Sequence, residues 1–283
     1  YSMNDFILSF HPDGDSMVQC LTKGGFEVWT ANLREQGGSK LESGTYHYGF
    51  KELSLIDVPT TLNFIQKKTR THKKQIHGIG CSLGASMVYG YLAHHQNIHP
   101  IKSLTAVGGP LRWKNVHPIV DTVFKSPALA GLIPIFGLRT SAQILMPAIR
   151  SFPKLLSIYL NADNIDLSNI GKLVQTIENP KRPLNKQMAM WFNQRDLKVA
   201  GVDVREAMGQ INLPLLSIVA NSDGIVPAES ALSIVESIGS NDKSVLHVGD
   251  SDIWYSHADL FVANDAKPKV FEPMVEWLIE KDE

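Results

Sequence analysis

Five residues, Gly80-Cys81-Ser82-Leu83-Gly84, constrain this chain more than any other stretch. They have the form G-x-S-x-G. Gln75 to Ile79, just before them, is short and suited to a strand; Leu83 to about Gln96, just after, reads as a helix. A serine on so sharp a strand-to-helix turn has its hydroxyl pushed out above the sheet edge, and the helix amino terminus favours negative charge there. Gly84, Ala85 and Ser86 are expected to keep the first helical turn thin, so that it lies close to the sheet.

The surroundings fit an α/β architecture. Phe6–Phe10 and Phe26–Ala31 read as strands, with a helix from near Met17 to Lys23 between them, capped by Asp15 or Ser16 and closed by a left-handed glycine at Gly24-Gly25. A helix from about Phe50 to Lys68 either restarts or kinks at Pro59. Ile101–Val107 is a further strand, ending at Gly108-Gly109-Pro110. From there to about Leu213 no strand is evident, and apolar helical stretches are broken by prolines. Alternation resumes with a strand at Leu213–Ala220, a helix at Ala228–Ile238, a strand at Ser244–Val248 and a last helix at Pro268–Ile279. Strands alternating with helices predict a mostly parallel sheet flanked by helices. Residues about 110–212 form a helical insert in a single domain spanning 1–283. As a cap over Ser82, the apolar run Phe124–Leu160 would wall a pocket suited to acyl chains.

A serine hydroxyl needs a base to take its proton, and the base needs an orienting acid. In open α/β sheets such groups gather at the carboxyl ends of strands, in the chain order serine, acid, histidine. Asp223 lies in the loop after the Leu213–Ala220 strand, within Ser222-Asp223-Gly224-Ile225-Val226-Pro227. His257, in Ser256-His257-Ala258-Asp259-Leu260, follows the last strand. His247 is a rival base that falls inside a strand; Asp250, Asp252 and Asp259 are rival acids that come too late in the order. The oxyanion donors expected are the backbone N–H of Leu83 and one from the loop after Phe10, assigned to Asp13 because Pro12 has none. Asp223 could also be a plain turn aspartate and His11 an ordinary loop histidine.

Composition narrows the alternatives. Of the 283 residues 43% are hydrophobic, and the formal net charge is −1, which gives no overall field for nucleic acid. Ala128–Leu138 is the longest apolar run and stops at Arg139, too short to span a membrane. The two cysteines, Cys20 and Cys81, fall in core elements, which fits a reducing, cytoplasmic setting. His94, His95 and His99 lack a further ligand for a metal, and no phosphate-binding glycine motif is present, so no metal or organic cofactor is expected. The chain starts at Tyr1, and is expected to be trimmed or to be a domain of a longer protein.

The elbow Gly78-Ile79-Gly80-Cys81-Ser82-Leu83-Gly84, the acid segment Ser222–Pro227 and the base segment Ser256–Leu260 together resemble the α/β-hydrolase superfamily from Phe6 to Ile279. Phe26-Glu27-Val28-Trp29 followed by Asn32-Leu33-Arg34 resembles its lipase- and esterase-like members. More narrowly, the chain is similar to bacterial hydrolases related to polyhydroxyalkanoate synthases. Those carry cysteine where Ser82 stands, and this difference implies hydrolysis. His11-Pro12 departs from the family's usual His-Gly, and the strands that usually precede the first one here are missing. The resemblance implies a serine esterase with the triad Ser82, Asp223 and His257 and a small apolar ester as substrate. An acyltransferase or thioesterase with the same triad is the alternative within enzymes. A non-catalytic fold that binds an apolar ligand or a partner is the alternative outside them.

Overall fold

The computed structural model describes residues 3–40, 48–72, 74–130, 156–179 and 182–282. Its centre is a four-stranded, wholly parallel sheet in the order β1 (Ile76–Cys81), β2 (Ile101–Val107), β5 (Leu215–Ala220), β6 (Lys243–Val248). A two-residue antiparallel hairpin, β3 (Lys198–Val199) and β4 (Val202–Asp203), stands apart. Residues of β5 alternate between two apolar cores: Leu215 and Val219 face one, Leu216, Ile218 and Ala220 the other. Every residue of β5 is buried, as a central parallel strand covered on both faces must be. The first core takes in the helix Leu83–His94, through Leu83, Ala85, Met87, Tyr89 and Leu92. The second takes in Phe271, Met274 and Leu278 near the chain's end.

Two expected strands are absent. Phe6–Ser9 is a single helical turn, and Phe26–Ala31 has no regular secondary structure and no ladder partner among the described residues. A run of five apolar residues does not distinguish strand from helix by itself. Here local contacts favour the turn: Asn4 Oδ1 accepts the Phe6 N–H at 3.0 Å, and the rings of Phe6 and Phe10, four residues apart, stack at 5.1 Å. Phe26 still leans on the sheet, with its ring edge-on to His77 at 5.7 Å. β1 is therefore an edge strand of the described sheet.

Other elements sit close to their expected limits. The helix Met17–Lys23 is capped by Ser16, whose side chain accepts from the Gln19 N–H while Gln19 bonds back to the Ser16 N–H. The left-handed residue after it is Gly25 (φ 90), whereas Gly24 keeps φ −72. The helix does not restart at Pro59: Phe50–Glu52, a π-helical turn at Leu53–Asp57 and Val58–Lys68 are contiguous, with Glu52, Leu53, Asp57 and Val58 all in helical conformation, and the π turn just before Pro59 absorbs its missing N–H. Arg34 grips Asp57 on that π turn, with Nε at 3.0 and 2.9 Å from the two carboxylate oxygens. The pair is mostly buried, and the carboxylate holds the Arg34 pKa above its usual value.

The described part of residues 110–212 is mainly helical, with Pro118–Phe124, Pro127–Ala130 and Arg182–Gln194 the main pieces, but it also holds the hairpin β3–β4, where no strand was expected because two-residue strands leave no alternating run to read. Phe192 stacks on Trp113 at 4.1 Å and on Phe124 at 4.8 Å, fixing this layer to the loop after β2. Residues 131–155, most of the apolar run expected to wall a pocket and part of Ala128–Leu138, lie outside the described residues. Among the described residues no helix is long and apolar enough to cross a membrane.

Candidate active site

Because β1, β2, β5 and β6 are parallel, the loops that follow them share one edge of the sheet. Ser82 follows β1 directly. Its backbone stands at φ 51, ψ −125, a strained conformation for a residue with a side chain. It is held there by its own N–H, which donates to Val107 O at the end of β2 (2.8 Å), and by its carbonyl, which accepts from Ala85 at 3.0 Å.

Of the two glycines of the motif, Gly80 is needed for clearance and Gly84 is not. A Cβ on Gly84 would meet nothing within 4 Å. A Cβ on Gly80 would lie 2.5 Å from Ala85 Cα, and one on Gly109 would lie 2.3 Å from Ala85 Cβ. The close approach of helix to sheet therefore rests on Gly80 and Gly109, with Ala85 between them.

Asp223 lies three residues past β5 and is buried. Its Oδ1 accepts the N–H groups of Ile225 (2.8 Å) and Val226 (2.7 Å), so the turn-aspartate geometry is present. Its Oδ2 is 2.6 Å from His257 Nδ1. A carboxylate already accepting two N–H bonds takes a third from Nδ1–H, which leaves the Nε2 lone pair free. That Nε2 is 3.0 Å from Ser82 Oγ. Ser82, His257 and Asp223 thus form one continuous hydrogen-bonded chain across three loops. His257 is itself buried, while Ser82 is half-buried.

Asn221 and Asp259, to which the sequence reading gave no such part, also shape the site. Asn221 ties the acid loop to the base loop: its Oδ1 accepts the Tyr255 N–H at 2.8 Å and its Nδ2 donates to Asp250 O at 2.9 Å. Gly249 (φ 103) leaves room for it, since a Cβ there would lie 2.4 Å from the Asn221 side chain. Asp259 touches neither ring nitrogen of His257; its Oδ2 accepts the N–H groups of Ser256 and Asn161. An asparagine directly after a strand is the one sequence cue that could have found Asn221.

The remaining candidates fall elsewhere. His247 is exposed on β6, the opposite edge strand. Asp250 accepts N–H bonds from Asp252 and Ile253 within its own turn. Leu83 opens the helix Leu83–His94, so its N–H has no carbonyl partner inside that helix. The Asp13 N–H donates to His11 Nδ1 at 3.1 Å, and His11 Nε2 then donates to Ala263 O at 2.9 Å. An oxyanion would have to draw the Asp13 N–H away from that ring. Burial pushes the Cys81 thiol up to about 12, so it stays protonated beside Ser82. His94 bonds to Val199 O at 3.0 Å and His95 to Tyr91 O at 2.9 Å. Among the described residues no three His, Cys, Asp or Glu side chains gather as metal ligands. A cleft of about 340 Å³ walled by Arg112, Arg205, Glu206 and Glu236 includes none of Ser82, His257 and Asp223.

Comparison with known proteins gives the chain's family and fold. Over 95 residues the chain is 34% identical to a tear acid lipase-like protein of Mesocricetus auratus, a match covering 31% of this chain and 23% of that protein. Among solved structures, a bromoperoxidase from Bacillus anthracis superposes with TM-score 0.62 at 17% identity, over 98% of this chain and 88% of that one. An esterase from Exiguobacterium antarcticum gives 0.62 at 16% identity, also over 98% and 88%. A monoacylglycerol lipase from Paleococcus ferrophilus gives 0.58 at 16% identity, over 94% and 88%. At such identities these structures speak for the fold. The sequence model of the family described as serine aminopeptidase, S33, matches residues 14–249, most of the chain and both Ser82 and Asp223. The chain therefore belongs to that family of α/β hydrolases.

Proposed function

We propose that this chain is a serine hydrolase of carboxylic esters with an apolar acyl part. One observation carries the reading: the unbroken chain from Ser82 Oγ through the His257 ring to Asp223, at 3.0 and 2.6 Å, ending on a serine held in a strained elbow. Ser82 attacks the ester carbonyl while His257 Nε2 takes its proton. Asp223 keeps the proton of neutral His257 on Nδ1 and stabilises the ring once it is charged. The Leu83 N–H, with that of Asp13 once released from His11, faces the charge on the carbonyl oxygen. His257 then protonates the leaving alcohol, and water resolves the acyl-enzyme by the same steps.

The choice of ester over amide leans on relatives whose names read lipase or esterase, against the aminopeptidase of the family's description. An apolar acyl group suits Leu156, Tyr159 and Leu160, which line the return of the insert beside the second core. The test is hydrolysis of p-nitrophenyl esters of increasing chain length by wild type, Ser82→Ala and His257→Ala. Both variants should lose at least about a thousandfold in kcat/KM with the fold intact. Activity that survives Ser82→Ala, or a preference for aminoacyl amides, would contradict the proposal. Acyl transfer to added alcohol or thiol in place of water would favour a transferase.

A further inference from the structure

The insert returns to the sheet through Ile158–Asn161, and this short segment is bound to the loop carrying His257 on both sides of the histidine. Ser256 Oγ donates to Ile158 O at 2.9 Å. The Ala258 N–H donates to Tyr159 O at 2.8 Å. Asn161 Nδ2 donates to Trp254 O at 2.8 Å. The fourth link runs through Asp259, whose Oδ2 accepts the Asn161 N–H at 2.8 Å and the Ser256 N–H at 2.6 Å. Residues 254, 256, 258 and 259 are thus all fastened, and His257 sits among them. The same segment presses on the acid loop: a Cβ on Gly224, next to Asp223, would lie 2.6 Å from Ile158 Cγ1 and 2.8 Å from Ile158 O.

We infer that Asp259 is a positioning residue, and that Ile158–Asn161 is the strap through which it holds the His257 loop in register with Ser82. This rests on the serine-hydrolase reading. Asp259 is wholly buried, and its Oδ1 has no hydrogen-bond partner. One oxygen therefore carries both bonds of the Asp259 link, and deleting it frees two N–H groups on opposite sides of the joint. Asp223, Asp265 and Tyr159 also face this carboxyl, and burial followed by the two acids raises its pKa to about 7. Protonation need not break the joint, because the unpartnered Oδ1 can take the proton while Oδ2 still accepts. A neutral amide at this position therefore serves the geometry as well as a carboxylate does. That separates positioning from an electrostatic effect on His257.

The experiment compares wild type, Asp259→Ala, Asp259→Asn, Ser256→Ala and Asn161→Ala in the full chain. It measures kcat and KM on p-nitrophenyl butyrate and the rate of fluorophosphonate labelling, with folding checked by near-ultraviolet circular dichroism. Asp259→Ala should lower kcat and labelling rate about 30-fold or more, with KM within about twofold. Asp259→Asn should recover both to within about threefold of wild type. Should Asp259→Ala not fold, Ser256→Ala and Asn161→Ala decide, each removing one link of the strap. Each should lower kcat about three- to tenfold without moving KM. The inference is overturned if folded Asp259→Ala matches wild type, if Asp259→Asn is as slow as Asp259→Ala, or if both single-link variants keep wild-type kcat. Wild type that takes no label would sink the serine-hydrolase reading itself, whereas labelled wild type with equally fast Asp259→Ala would sink the strap alone.

Discussion

Gly108→Ala should slow the chemistry by pushing on the base. Gly108 directly follows β2 at φ 55, and a Cβ there would lie 3.2 Å from His257 Cε1 and 3.4 Å from Nδ1. Carbon atoms rest at about 3.5–4.0 Å, so the ring must yield by a few tenths of an ångström. It is held by a 2.6 Å bond to Asp223 and a 3.0 Å bond to Ser82, and one of them must lengthen. A stretch of that size carries the Ser82 bond past the reach of about 3.2 Å at which a base takes a proton well. If a 1 Å misplacement costs about a hundredfold, a few tenths costs between about threefold and tenfold in kcat. The left-handed backbone adds about 1–2 kcal/mol of strain, or roughly 2–3 °C in Tm for a chain of this size. Gly201→Ala is the control, because Gly201 also has positive φ (86) but a Cβ there meets nothing within 4 Å. It should lower Tm comparably and leave kcat alone. Ester kinetics and thermal denaturation on both variants decide the matter. Equal kcat in folded Gly108→Ala and wild type would refute the reasoning.

Further expectations concern the elbow, a buried acid and the Arg34 clamp. Gly84→Ala should be neutral or stabilise by up to about 1 kcal/mol, whereas Gly80→Ala should destabilise by about 2 kcal/mol or more; urea unfolding of the pair checks this. Asp259 has its pKa raised from 3.8 to about 7, so the folded state binds the proton more tightly than the unfolded one, and stability falls as pH rises from about 4 through about 7. Across that window the charge costs at most about 4 kcal/mol. Asp259→Asn should therefore have a Tm advantage over wild type that widens between pH 5 and pH 8; a gap that does not change with pH would contradict it. Arg34→Lys keeps the charge but loses the fork on Asp57, and should lower stability by about 2 kcal/mol in urea.

The candidate site's residues were legible because each lies beside a local signal. Ser82 stands in a glycine-flanked turn between strand and helix, Asp223 and His257 lie in the loops after the last two strands, chain order ranks Asp223 above Asp250 and Asp252, and His247 falls inside a strand. What joins them was not legible. The clamp of Asn221 on the base loop and the strap from Ile158–Asn161 to Asp259 connect residues far apart in sequence, and neither leaves a spacing to read. The same limit explains Gly84. Its place in the motif suggested a packing role, but clearance depends on which residues face Ala85, and those are Gly80 and Gly109. Among the elements, Ile101–Val107 announced itself by seven consecutive residues bounded by Pro100 and Gly108-Gly109. Phe6–Phe10 misled because a five-residue apolar run takes whichever form its neighbours support, here Asn4 and the stacked Phe6 and Phe10 rings.

The most direct test of the central claim is intact-mass analysis after treatment with a fluorophosphonate, on wild type and Ser82→Ala. An activated Ser82 predicts one adduct on wild type and none on the variant. Folded wild type that stays unmodified, or a Ser82→Ala variant that still takes the adduct, would contradict the assignment of Ser82 as nucleophile.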